Sequence, residues 1–238
     1  MIDKSFIEKI EQLSEAKIIE QDGLPYATRA INLVQPPMQK QIEVETLTGL
    51  RDYVVKNPDA ISAGNSLIHV VAPDHVRVLS AVDPKFKTRT CYLVAGCKHE
   101  RFEFGDRIDL ETFIIALQSQ FVQDEATALL LKTVGNIADG NVTDWADDGV
   151  SQKITQKAGI DRRAEARVPN PVSLRPYRTF IEVEQPASKF VLRMRSGGGG
   201  SMPTAALHNA DGGAWKREAI ENVRKWLAAE CPTMNVLA

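Results

Sequence analysis

The residues best equipped to do chemistry lie late in the chain, in the string Leu174-Arg175-Pro176-Tyr177-Arg178-Thr179-Phe180, with Arg193 and Arg195 following. A guanidinium offers a planar fork of donors that matches phosphate or carboxylate, and Tyr177 or Phe180 can stack on a base or on a guanidinium. Basic residues interleaved with aromatics on an extended segment form a nucleotide or single-strand binding pattern. The candidate ligand-binding set is therefore Arg175, Tyr177, Arg178, Phe180, Arg193 and Arg195. A purely structural reading also fits. In it Arg178 pairs with Glu182 or Glu184, and the two aromatic rings simply pack.

Other constellations carry less. Cys91, Cys97 and His99 form a C-x5-C-x-H string without the close pairing of structural zinc sites. On an extended strand the two thiols would stand about 20 Å apart at ~3.3 Å per residue. No metal site is expected, and none of His69, His75 and His208 forms a helical pair. The phosphate-cradling G-x-x-x-x-G-K-[ST] loop, the dinucleotide fingerprint G-x-G-x-x-G after a strand and the G-x-S-x-G elbow are all missing. No catalytic residue is assigned and no cofactor is implied. A hydrolase using Glu182, Glu184 or Asp148 with a histidine is the residual enzymatic reading.

These residues need a scaffold, and the longest helical signal runs from Asp109 to Asp139. Leu110, Phe113, Ile114, Leu117 and Phe121 recur at three- and four-residue steps, followed by Ala126, Leu129, Leu130, Val134 and Ile137. Asp109 and Asp124 are candidate N-caps, so one long helix or a helical hairpin fits. Upstream, Leu67–Val71, Val76–Val82 and Thr88–Ala95 read as a β-meander turning at Pro73-Asp74. Thr46 or Thr48 caps a helix that ends at Asn57-Pro58. Downstream, Val150–Lys157, Ala164–Val168, Val172–Arg175, Phe190–Arg195 and Ala205–Leu207 read as strands. Asp211-Gly212-Gly213 then leads into a helix whose face carries Trp215, Ala219, Val223, Trp226 and Leu227. The expected class is α+β: a mostly antiparallel sheet or partly closed barrel packed on a central long helix or helical hairpin, with a C-terminal helix. Residues 1–40 read as an N-terminal helix (Phe6, Ile7, Ile10 and Leu13 inward) and an extended arm. Residues 41–238 read as one domain, with 196–201, Ser-Gly-Gly-Gly-Gly-Ser, as a flexible linker matching engineered ones.

Composition bounds the function classes. The chain has 238 residues, 43% hydrophobic and 25% charged, with a net charge of −2. That describes a chain able to bury a sizeable core, without an overall basic field for nucleic acid or membrane. No signal peptide or membrane span is apparent, and three irregularly spaced cysteines suit a reducing cytoplasm. Charge is nonetheless segregated. Residues 100–149 hold eleven acids against three bases, whereas 161–195 hold eight bases against four acids. The two stretches either face each other, within or between subunits, or the basic one presents an anion-binding surface.

The segments Asp147-Asp148-Gly149-Val150-Ser151-Gln152, Leu174 to Phe180, Gln185-Pro186-Ala187-Ser188-Lys189-Phe190 and Ala210-Asp211-Gly212-Gly213-Ala214-Trp215 resemble proteins of phages and prophages, nearest to the YfdQ-like prophage group. The likeness covers about residues 42–230. It implies a phage-encoded protein in the cytoplasm of a bacterial host, with no assigned reaction. Three function classes follow. The first is a non-enzymatic accessory protein binding a host component, including sequestration of an anionic nucleotide signal of antiviral defence through Arg175, Tyr177, Arg178 and Arg193. The second is a structural or assembly protein forming a homo-oligomer. The third is a single-stranded nucleic-acid binder or the hydrolase above. The implied partners are a nucleotide or other anionic small molecule, a host protein and further copies of the chain, with no membrane.

Overall fold

The computed structural model describes residues 3–21, 24–28, 39–98, 100–139, 142–147, 152–158, 162–167, 170–195 and 203–238. The chain divides into two compact units, Met1–Met38 and Gln39–Ala238. In the first, α1 (Lys4–Ser14) precedes an antiparallel hairpin of β1 (Ile18–Gln21) and β2 (Leu24–Ala27), with Ile18 opposite Ala27. The stretch expected as an extended arm thus includes a hairpin. The amphipathic stripe of α1 forms, but it does not point inward. Phe6 is 55% exposed and Leu13 70%, with Ile7 and Ile10 comparable, and α1 has no buried residue. A short helix and a two-stranded hairpin supply too little apolar surface to enclose four large side chains.

The second unit opens with β3 (Ile42–Val44) and α2 (Leu47–Lys56). Thr46 caps α2 by accepting from the Gly49 amide at 3.0 Å, and Asn57 ends it in the left-handed region at φ 44°. Next come β4 (Leu67–Ala72), β5 (His75–Leu79) and β6 (Cys91–Gly96). β5 stops earlier and β6 starts later than their apolar patterns suggest. Asp83 accepts from the amides of Lys85 and Phe86 and the Ser80 hydroxyl accepts from Thr90, alongside backbone bonds from Ser80 to Thr90 and from Asp83 to Thr88, so the stretch is held by mixed side-chain and backbone bonds rather than a regular ladder.

Then follow β7 (Ile108–Asp109), α3 (Leu110–Ser119), α4 (Glu125–Asp139), β8 (Val142–Asp147), β9 (Gln152–Ala158), β10 (Arg162–Arg167), β11 (Val172–Leu174), β12 (Ser188–Arg195), β13 (Thr204–Asn209), α5 (Ala214–Glu230) and β14 (Asn235–Leu237). The Asp109–Asp139 stretch is two helices rather than one long one. Asp109 caps α3 through Thr112, and Asp124 receives the Thr127 amide at 2.9 Å to start α4. Between them Phe121 leaves helical geometry to bridge Pro176.

The sheets are open, and none closes into a barrel. One has the order β14-β4-β5-β6-β3, antiparallel inside and parallel at both outer pairs; a second has the order β11-β12-β13-β7; β8, β9 and β10 form an antiparallel meander. Two apolar cores result. In the first, Ile68, Val70, Val76, Val78, Leu93 and Ala95 alternate inward against Leu47 and Leu50 of α2 and Val223 and Leu227 of α5. In the second, Phe190, Leu192 and Met194 of β12 meet Phe113 and Leu117 of α3 and Leu130 and Val134 of α4. Among the described residues no helix is long and apolar enough to cross a membrane.

The two units differ in what a truncation should cost. Phe113, fully buried, should lose about 3–5 kcal/mol on Phe113→Ala through lost transfer and a residual cavity. Phe6→Ala should change stability by less than about 0.5 kcal/mol. Urea denaturation of the two variants checks both values.

Candidate functional site

The arginine-aromatic string is not a strand beyond Leu174. β11 ends there, and the chain runs instead as a loop pinned at several points to its surroundings. The Val122 amide donates to the Arg175 carbonyl at 2.8 Å, and the Tyr177 amide donates to the Gln120 carbonyl at 2.9 Å. Gln185, only 4% exposed, organises the next turn. Its Oε1 accepts from the amides of Arg178 at 3.0 Å and Thr179 at 3.2 Å, while its Nε2 donates to the Phe180 carbonyl at 3.0 Å. One side chain thereby satisfies backbone groups that a buried loop could not leave unpaired. The Thr179 hydroxyl donates to the Pro73 carbonyl, and the Glu182 carboxylate accepts from the amide and hydroxyl of Thr48 at 3.0 and 3.2 Å.

This loop borders a cavity of about 650 Å³, a size suited to a small organic ligand. The β4–β5 turn (Ala72, Pro73, Asp74) forms one wall, Phe102 and Phe104 another, Tyr177 and Arg178 a third, and Trp215 and Lys216 at the start of α5 complete it. Arg178 is the chemical centre. Its guanidinium carbon lies 4.4 Å from the ring centre of Phe104, 4.5 Å from Trp215 and 5.0 Å from Phe190. Phe104 and Phe190 stack with centroids 5.1 Å apart. Ring faces attract a cation, by about 2 kcal/mol or more when water is excluded.

Among the described residues no carboxylate bonds to Arg178. Its Nε and Nη2 are shut off from solvent and have no hydrogen-bond partner. Burial pulls its pKa down to about 10, opposed by the charge of Asp211. It remains a cation at neutral pH. Asp211 is itself committed elsewhere: it accepts from the Gly213 amide at 3.0 Å and the Trp215 amide at 3.4 Å, at the first turn of α5. Burial pushes the Asp211 carboxyl up, but those amides, Ser188 and the Arg178 charge outweigh it and hold it below the usual range. The cavity also presents Arg101, Lys216 and one acid, Asp74, which is ion-paired to Arg101. Three cations against one carboxylate make its lining electropositive.

Of the candidate residues, Tyr177 and Arg178 line this cavity. The others lie elsewhere. Arg175 pairs with Glu184 at 2.8 Å on the surface, so its partner is in the same basic stretch and not in 100–149. Phe180 is fully buried in the first core. Arg193 and Arg195 alternate with the inward Leu192 and Met194 on β12, which turns them to the opposite sheet face. Neither Glu182 nor Glu184 lines the cavity, and Asp148, His99 and the string 196–201 lie outside the described residues. Among the described residues Cys91, Cys97 and Cys231 form no disulfide, and no group of three metal-ligating side chains occurs.

Sequence reasoning missed Phe104, Lys216, Asn209 and the roles of Trp215, Asp211 and Gln185. The one available signal was Asp211-Gly212-Gly213 ahead of Trp215, a tight turn that starts a helix beside an aromatic. Comparison with known proteins finds no matching family model, curated protein or solved structure.

Gln185→Ala should destabilise the protein by about 2–4 kcal/mol, since it strands several buried amide and carbonyl groups; chemical denaturation reads this. For Asp211 the folded pKa lies below the unfolded value of about 3.9, so its contribution is full above that value and disappears as pH falls through the folded pKa. The stability gap between wild type and Asp211→Asn should therefore close on acidification below about pH 4. A gap that stays constant across pH-dependent melting curves would remove the charge from the account.

Proposed function

We propose that the protein is a non-enzymatic binding protein that captures a small anionic ligand of the nucleotide class in the Arg178 cavity. The observation that carries this reading is a buried, charged guanidinium with two unpaired nitrogens beside an aromatic-lined cavity. Nε and Nη2 themselves have no accessible surface, so what the cavity offers a ligand is the net charge of the guanidinium. A phosphate oxygen is a strong acceptor, and arginine is the cation whose geometry suits it. Lys216 and Arg101 supply further positive charge, and Trp215, Tyr177 and Phe102 offer ring faces for a base. Among the described residues no serine, threonine, cysteine or histidine lines the cavity, and its carboxylate is held by Arg101, which favours capture over turnover. The resemblance to phage and prophage proteins supplies the setting: a nucleotide signal of a bacterial host's antiviral defence, held by a phage-encoded protein in the host cytoplasm.

A second reading, assembly into a homo-oligomer, is favoured by the uncovered stripe of Phe6, Ile7, Ile10 and Leu13 on α1. The two readings are compatible, because α1 belongs to the first unit and the cavity to the second.

Titration calorimetry with linear and cyclic nucleotides tests the first reading. At least one should give saturable heat, with affinity falling as salt rises. Arg178→Ala should weaken that binding at least tenfold, about 1.4 kcal/mol. Absence of heat with every nucleotide in the panel would discard the reading. For the second, the solution mass of the full chain should fall in the Phe6→Asp, Leu13→Asp double variant; an unchanged mass removes the helix from any assembly.

A further inference from the structure

The Arg178 cavity, electropositive as it is, carries a carboxylate of its own in Asp74. The turn that bears this acid is held from two sides. The Pro73 carbonyl accepts from the Thr179 hydroxyl, and the Asp74 carbonyl accepts from the Cys97 amide at 3.0 Å. Thr179 directly follows Arg178, so the turn is tied to the same stretch of backbone as the buried guanidinium.

Arg101, the ion-pair partner of Asp74, is a different kind of residue. Its neighbour Phe102 is 7% exposed and makes edge contacts with Phe113 and Phe121, which anchors the chain at this point. Beyond that root the Arg101 side chain is 62% exposed, against 28% for Asp74. A long exposed side chain on a fixed root exchanges partners by rotamer changes alone. Its guanidinium bonds phosphate oxygens as well as carboxylate oxygens, so such an exchange keeps charge-assisted bonds on Arg101.

We propose that Asp74 is an internal competitor of the ligand: its carboxylate occupies Arg101 until the ligand's anionic group displaces it. This rests on the anion-capture reading above and adds a regulation of that same site. An anion that bonds Arg101 must first part an existing pair, so Asp74 holds affinity below what the cavity's cations alone would give.

Calorimetry on the full-length protein, with adenosine and guanosine 5′-monophosphates and their 3′,5′-cyclic forms, tests this. Asn suits a turn as Asp does. Asp74→Asn should bind each nucleotide that wild type binds about three- to fivefold more tightly, the scale of an exposed ion pair. Arg101→Gln should bind the same nucleotides about threefold more weakly. Within Arg101→Gln, adding Asp74→Asn should gain less than about twofold, because no pair is left to part. Asp74→Glu, which keeps the charge, should stay within about twofold of wild type. No gain in Asp74→Asn, or a gain as large in Asp74→Glu, would overturn the competition and leave anion capture standing. So would an equal gain with and without Arg101, which would mean simple repulsion of the anion, or an unchanged affinity in Arg101→Gln. That last variant alters an exposed side chain, so it decides the matter even where an Asp74 variant fails to fold. Binding of no nucleotide by wild type overturns both readings.

Discussion

The interaction on which the site depends is the burial of the Arg178 guanidinium among three aromatic rings without a carboxylate to bond it. Removing a charge from water costs several kcal/mol, and ring faces return only about 2 kcal/mol or more. Left to itself the side chain would swing out to solvent. It stays because its backbone is fixed: Gln185 holds the Arg178 and Thr179 amides, and Tyr177 on the other side is tied to Gln120. The backbone restraint and the aromatic walls together make the charged position affordable.

Those restraints also explain where the cavity lies. The loop after β11 leaves the second sheet, yet it buries Phe180 and Val183 in the first core and bonds to Pro73 of the β4–β5 turn and to Thr48 of α2. It is a strap between two separately packed cores. Two convex apolar packings joined along one strap leave space where neither fills the corner, and the cavity has walls from both. Phe102 illustrates the seam: it makes edge contacts with Phe113 and Phe121 of the second core while lining the cavity.

The parts legible in the sequence were those set by local periodicity. The α2 cap at Thr46, the inward face of β12 and the turn at Pro73-Asp74 follow from residue type and spacing, and the structure has them. Of the six residues singled out in the sequence, Tyr177 and Arg178 are the two that line the cavity. Sequence proximity suggested that Arg175, Phe180 and the β12 arginines would join them, but a loop tied by Gln185 sends consecutive side chains in unrelated directions. Phe104 and Trp215, more than thirty residues away on either side, came to the arginine through tertiary packing that carries no local pattern. The stripe on α1 shows the converse: its period was right, but among the described residues nothing buries it.

The remaining question is why neither nearby acid neutralises Arg178. Asp211, two residues before the Gly213 that begins α5, is held by the Gly213 and Trp215 amides, and its charge reaches Arg178 without a bond. Asp74 is taken by Arg101, whose side chain is 62% exposed. A pair that open to water contributes about 0–1 kcal/mol, because solvent already screens each member. Parting Arg101 from Asp74 therefore costs little, whereas moving Asp211 onto Arg178 would give up its bonds from the Gly213 and Trp215 amides. The arrangement leaves one cation buried and another held loosely at the same cavity, and the proposed anion capture rests on that asymmetry.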